Sequence, residues 1–503
     1  MEPTTLNMSS AMPNIHAWDY LVVTSILSAL LALCARFLTN GSKAFTNSEG
    51  FKVKAFKEDT RFQRFSHGPE ISQKGSEVSG NDPYLVKNGR FQELVITQPE
   101  QLREFSRKDA KDHMKPKNMN LGDCFGRLLG NSVGVQGGRK WAMMRAHFNP
   151  GFSRLASMDM VPTFAAEIRH WVADLPKCSS CNSHAANTFF RNATQACRYL
   201  PFRLIALTAY GEALNDETYE ELLHLNDLHD TLMFDAFFGK WTVSKLFNIL
   251  PTESRKRMQT FQKGWKKLNH DVIARAKAEG LRSPAEQIYK GVELGDMSET
   301  EFLQTMDELL FTNIDVTSTV TASLLINISE NQPFQAALRE EIAASQSQES
   351  YNIKDYIAKK DTLLHYAVME SIRMCPALWF SLPEKTAIDK VIEGYYVPAG
   401  TTIIIDWKRL NTTPAIWGSD SELFRPERFA SMSPMSYRYA FLRFGFGRER
   451  CLGKNIAEIM LKLVLVSIVQ QYDIKPGKND GIRQDKFTVT SDGEIGFTPI
   501  VHA

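Results

Sequence analysis

Residues 444–453 read Phe-Gly-Phe-Gly-Arg-Glu-Arg-Cys-Leu-Gly and run into an apolar stretch at 456–469 that predicts a helix. No other part of the 503-residue chain limits its fold as sharply. Gly445, Gly447 and Gly453 permit tight, left-handed backbone turns beneath something bulky. Cys451 stands at the start of the helix beside Arg448 and Arg450, where the helix dipole and the cations favour a thiolate. A Cys that only fills a core is a small hydrophobe and needs neither flanking Gly nor a basic collar. A thiolate on a Gly-rich loop suits a soft metal or haem iron. Zinc and iron–sulfur clusters require further Cys or His at ligand spacing, and none lies near Cys451.

The rest of the composition removes several function classes. Fifty-nine Lys plus Arg against 57 Asp plus Glu leave a net charge of +2. Nucleic acid as the main partner normally needs a strongly basic face, so none is expected. Seven Cys over the whole length are too scattered for a disulfide framework. Cys178 and Cys181 have redox spacing without a βαβ setting and read as surface residues. His224 and His229 are five apart on a predicted helix, roughly 140° around its axis, and read as ordinary helix residues rather than metal ligands.

The N-terminus stands apart. Residues 20–38 are apolar with one charge, Arg36. At 1.5 Å per residue they span about 28 Å, close to the thickness of a bilayer core. No Lys or Arg precedes them, which argues against a cleaved signal peptide, and Arg36, Lys43, Lys52 and Lys54 follow. The flanks predict a single-pass anchor: residues 1–19 a short lumenal tail carrying the acceptor pattern Asn7-Met8-Ser9, 20–38 the membrane span, 39–503 a cytoplasmic catalytic domain.

Beyond the anchor, 39–85 read as a linker with short irregular structure. Long amphipathic stretches dominate to about 375, among them 302–327 and 356–374. Residues 391–401 predict a strand, a turn and a second strand, and the last thirty residues a β-hairpin. The expected class is mainly α, an α+β fold with small sheets placed late.

The Cys loop resembles the haem-binding loop of the cytochrome P450 family, Phe-x-x-Gly-x-Arg-x-Cys-x-Gly, through Phe444, Gly447, Cys451 and Gly453. The inner Arg of that pattern is Glu449 here, flanked by Arg448 and Arg450. Glu370 and Arg373 resemble the family's Glu-x-x-Arg, and Arg428 its third member, a carboxylate shared by two guanidiniums behind the loop. Trp141 and Arg145 resemble the Trp-x-x-x-Arg whose side chains face a haem propionate. The distal motif departs from the pattern: in Thr312-Asn313-Ile314-Asp315-Val316-Thr317, Asp315 matches the acid, but Val316 replaces the alcohol that moves protons. Val donates no hydrogen bond, so Thr312, one turn earlier on the same face, or Thr317 is expected to take over.

The resemblance implies the P450 fold with a long central I helix and haem b (iron protoporphyrin IX) on Cys451. It further implies O2 as oxidant, electrons from an NADPH–cytochrome reductase, and residence in the endoplasmic reticulum membrane. It places substrate contacts at about 115–129, 306–317, 377–383 and 490–496, where Phe311, Leu378, Trp379 and Phe380 favour an apolar or aromatic ligand. The Asn-Ile-Asp-Val-Thr variant is similar to fungal enzymes that tailor polyketides, terpenoids and cyclic dipeptides. That group includes couplings, ring closures and desaturations without oxygen insertion, and the family also includes reductase-independent isomerases or dehydratases.

Overall fold

The 454–471 segment is apolar on every face, and a helix of that kind is stable only at the centre of a protein. In the computed structural model, which describes Ser28 and residues 44–108, 110–177, 188–478, 481–483, 488–491 and 493–500, Lys454–Gln471 is such a helix, with Ile459, Val464, Leu465 and Ile468 buried. Its one deeply buried cation, Lys462, donates to the carbonyls of Ile357 (2.6 Å) and Lys359 (3.0 Å), which offsets part of the cost of burying the ammonium. The predicted span at 20–38 lies outside the described residues apart from Ser28. Among the described residues one helical stretch, 299–330, is long and apolar enough to cross a membrane, and most of it is buried inside the protein.

That stretch forms one wall of the largest apolar recess around the Cys loop. It opens with a capping box in which Ser298 and Glu301 satisfy each other's backbone N–H groups, and it runs as Glu299–Leu310 and Asn313–Glu330. The expected uninterrupted central helix is thus broken at Phe311–Thr312. There the side chains of Thr312 (2.5 Å) and Asn313 (3.0 Å) both donate to the Glu308 carbonyl, competing with the regular backbone ladder. The predicted 356–374 helix is also two, Ile353–Ala358 and Leu363–Met374, because Thr362 caps the second by accepting from His365 N.

A five-stranded sheet flanks the helices in the order Lys54–Asp59, Tyr84–Asn88, Phe91–Ile96, Thr402–Ile405, Glu384–Lys385. Phe91–Ile96 and Thr402–Ile405 run parallel, Glu93 opposite Thr402 and Ile96 opposite Ile405. Where a linker followed by short irregular structure is expected, residues 54–85 form a strand, two helices and the start of a second strand. Lys390–Ile392 and Tyr395–Val397 form the predicted hairpin, turning at Glu393 and Gly394, both at positive φ. The C-terminal strand Glu494–Pro499 pairs with Tyr472–Pro476 and also with Phe189–Asn192, a partner that alternation in the last thirty residues does not reveal. This is the mostly helical, small-sheet class the sequence predicts.

Candidate active site

The Cys loop closes on itself through Cys451 N–H donating to Phe444 O at 2.8 Å. Gly445 (φ +76°) and Gly447 (φ +72°) make the reversal in the left-handed region that side chains disfavour. Cys451 is thereby set just ahead of the Lys454–Gln471 helix with its exposed face turned into a cavity of about 430 Å³. Two influences oppose each other at the thiol. Burial pushes its pKa up, and the N–H groups of Gly453 and Lys454 and the Arg145 guanidinium only oppose that rise.

The cavity is walled by the loop below, by Leu309, Thr312, Val316, Thr317 and Val320 of the broken helix, and by Phe125, Phe237, Trp379 and Phe380 from three other segments. Its walls are mostly apolar, with cations on the side of the loop. Arg145 Nη2 donates to the Arg450 carbonyl (3.1 Å) and its Nε to Asn149 (2.8 Å), while its guanidinium lies 5.8 Å from the Trp141 ring centre. Trp141, Arg145 and Arg450 all line the cavity. Arg448 is exposed and stacks on the outer side of the same group, 5.5 Å from the Trp141 ring, and neither it nor Gly447 reaches the cavity.

Where the family pattern has Arg, Glu449 turns toward a cation brought from elsewhere. Lys115 Nζ lies 3.8 Å from Glu449 and 2.7 Å from Glu384. His113 Nδ1 is 3.3 Å from the other Glu384 oxygen. Burial pushes the Glu449 carboxyl up in pKa, and Lys115 opposes the rise. Behind the loop, the buried Glu370 carboxylate accepts from Arg373 Nε and Nη2 (both 2.8 Å) and from Arg428 Nε (2.9 Å), so all three expected members meet.

Asp315, expected on the proton route, lies on the helix outside the cavity lining. Its carboxylate is bound by Arg198 Nη1 at 2.6 Å, and Arg198 in turn reaches Asp230 at 2.7 Å. It does not line the cavity, because one residue step on a helix turns it about 100° from Val316. The cavity's carboxyl on that wall is Glu308, which sequence reasoning missed although it sits four residues before Thr312 on one face. Thr312 and Thr317 do line the cavity, each donating to a carbonyl one turn back, Glu308 O and Asn313 O, both at 2.5 Å. Phe311 also departs from expectation: it is buried away from the cavity, 5.0 Å from Trp265 and from His229. His229, expected to be an ordinary helix residue, is buried 2.8 Å from Asp307. Of the four expected substrate segments, the first three contribute walls and 490–496 contributes none among the described residues.

One exposed sulfur at a helix start, an apolar slot above it and a cationic edge form a donor set suited to haem: a soft axial ligand with partners for two propionates. Comparison with known proteins points the same way. A family model described as Cytochrome P450 matches residues 81–494. The chain belongs to the cytochrome P450 family. It is 42% identical over 495 residues to the cytochrome P450 monooxygenase lepD of Aspergillus flavus, covering 97% of each chain. It is 38% identical to the cytochrome P450 monooxygenase opdB of Penicillium oxalicum and 36% to apdB of Emericella nidulans, covering 89% of this chain and 90% of the relative in both cases. As a P450 of the monooxygenase kind it is an oxidoreductase whose family binds haem iron.

Proposed function

We propose that this P450 oxidises an apolar or aromatic secondary metabolite, of polyketide, terpenoid or cyclic dipeptide type, in a fungal biosynthetic pathway. Electrons come from an NADPH-dependent reductase. Residues 20–38 anchor the chain in the endoplasmic reticulum membrane with 39–503 on the cytoplasmic side. The observation that carries the reading is the exposed Cys451 lining a mostly apolar cavity.

Cys451 would hold the haem iron, and Arg145, Arg450 and Lys115 would balance the propionates. Haem, when bound, supplies the oxidising power for attack on unactivated carbon. The chain's own contribution is to exclude water with Leu309, Val316, Phe237 and Phe380, and to orient the substrate against that wall. Thr312 Oγ1 and Thr317 Oγ1 already donate to backbone carbonyls, so their remaining capacity is to accept a proton's hydrogen bond from within the cavity. Asp315, tied to Arg198, would deliver a proton only after leaving that pair.

Val316 in the cavity wall favours a second outcome of the same chemistry, a coupling, ring closure or desaturation in which oxygen is not retained. A reductase-independent isomerase or dehydratase would turn over without NADPH.

The test is the carbon monoxide difference spectrum of the dithionite-reduced protein beside Cys451→Ala. A strongly red-shifted Soret band in the parent, absent from the variant, is the expected result. An unshifted, imidazole-like spectrum from folded protein would remove the ligand assignment. Heavy-oxygen labelling of the product then separates insertion from coupling, and sodium carbonate extraction of the chain with and without residues 1–38 tests the anchor.

A further inference from the structure

The broken helix presents consecutive acids with opposite fates. Asp307 is buried against His229 and faces away from the cavity. Glu308 is half-buried and lines the cavity. A carboxyl in a mostly apolar chamber is costly to keep unless something uses it. Burial pushes its pKa up, with Asp307 adding to the rise and Arg145 opposing it.

Its surroundings are built to hold it. Glu308 Oε2 accepts from the Gly134 N–H at 2.9 Å. A Cβ at residue 134 would collide with Glu308 Oε1, so the carboxyl occupies space that only a Gly leaves open. The Ser132 hydroxyl is buried within reach of the carboxyl but makes no well-aligned hydrogen bond. Thr305 Oγ1 binds Val133 N–H (3.1 Å), which pins the 132–134 turn to the same helix. Ser132, Gly134, Thr305, Glu308 and Thr312 all line the cavity. Together they make one polar recess in a mostly apolar wall, aimed at whatever the cavity holds.

We infer that Glu308 is a specificity-determining residue of this P450, the hydrogen-bond acceptor for an N–H or O–H group carried on an otherwise apolar, ring-containing substrate. One good polar anchor in an apolar pocket fixes orientation, because a misplaced substrate leaves both the donor and the buried carboxyl unpaired. Such a site discriminates far more strongly by a missing hydrogen-bonding group than by a missing methylene. The inference rests on the proposed function, since it takes the cavity as the substrate chamber.

The test uses the full-length holoprotein and a matched pair of probes, 2-phenylindole and 2-phenylindene, which differ chiefly in the N–H. Binding is read by equilibrium dialysis together with the Soret shift. The parent is expected to bind the indole about tenfold more tightly than the indene or better. Glu308→Leu should bring that ratio below about threefold while indene affinity stays within about twofold. Glu308→Gln, whose amide oxygen still accepts, should keep most of the preference. Gly134→Ala, which displaces the carboxyl without removing it, should lose it. A parent without preference, or a preference that survives in both Glu308→Leu and Gly134→Ala, overturns the inference. A purely structural Glu308 would weaken both probes equally, which also overturns it. The carbon monoxide spectrum of each variant separates the two levels: a parent without the red-shifted band sinks the proposed function, whereas a normal band with no N–H preference sinks only the role of Glu308.

Discussion

Removing charges one at a time from the buried cluster behind the Cys loop should produce a definite order of damage. Glu370 and Arg373 have no exposed side-chain surface and Arg428 has almost none. Glu370 accepts four hydrogen bonds, from Arg373 Nε and Nη2, Arg428 Nε and Arg425 N. Arg373 also holds the carbonyls of Asn411 (3.0 Å) and Ser421 (2.7 Å), and Arg428 those of Trp417 (2.8 Å) and Asp420 (3.0 Å). Both guanidiniums also reach the Leu423 carbonyl and Arg428 reaches Asp420 Oδ1, so the two make five hydrogen bonds each and charge decides between them and the carboxylate. Arg428→Met leaves Glu370 and Arg373 as a neutral, bidentate pair. Glu370→Gln leaves two buried guanidiniums facing each other, with only the partly exposed Asp420 beside Arg428. Breaking a buried pair so that charge is stranded costs about 3–5 kcal/mol, and Glu370→Gln should fall in that range. Arg428→Met should cost clearly less. At ~2.1 cal/mol/K per residue over roughly 460 residues, the unfolding entropy is about 1 kcal/mol/K, so the larger loss lowers Tm by only about 3–5 °C. Denaturant midpoints followed by Trp fluorescence resolve such differences better than melting. If Arg428→Met proves as damaging as Glu370→Gln, hydrogen-bond count and not charge governs the cluster, and the reasoning is wrong.

Other expectations follow from single sites. Burial pushes the Asp406 carboxyl up to about 6 from 3.8, so between those values the folded protein holds a proton that the unfolded chain has lost. Stability should fall as pH rises through that window, by about 3 kcal/mol over its full span relative to Asp406→Asn, of which about 2 kcal/mol appears as diverging denaturation midpoints between pH 4.5 and 7. His365 has the opposite sign: burial holds it down at about 3 from 6.5, so the unfolded chain alone takes up a proton as pH falls below 6.5. The His365→Leu variant should gain on the parent between pH 7.5 and 5, and equal slopes would contradict this. Gly447→Ala meets no neighbouring atom and should cost only the left-handed strain of about 1–2 kcal/mol, read as faster haem transfer to apomyoglobin. Thr312→Val with Thr317→Val should divert NADPH use from product to peroxide, and fully coupled turnover would refute the proton role of those hydroxyls.

The parts of this site that are legible in sequence are those whose chemistry demands one residue type at one spacing. Cys451 with its Gly residues is of this kind, and so is the Glu370–Arg373 pair, because i and i+3 share a helix face. Face assignment failed where the helix is irregular. Asp315 and Val316 are neighbours in sequence yet point to different environments, one to Arg198 and one into the cavity. No periodicity reveals that side chains at Thr312 and Asn313 interrupt the helix beside them. Long-range partners were illegible for a different reason. Nothing in the sequence around Lys115 announces Glu384, and nothing around Phe189 announces the strand Glu494–Pro499. Glu308 is an acid one turn from a cavity Thr, but sequence alone does not separate it from the adjacent Asp307, which turns instead to His229.

The Cys loop's cations come from far along the chain: Arg145 reaches Arg450 across 305 positions, and Lys115 reaches Glu384 across 269. Contacts closing loops that long bear a large entropic cost and form only when much of the intervening polypeptide has already collapsed. The loop's own turn, by contrast, needs just the eight residues from Phe444 to Cys451. By loop-closure cost alone, the turn that shapes the thiol is the local part of this site, and its charged surroundings depend on contacts that close only when the segments around 115, 145 and 384 have docked.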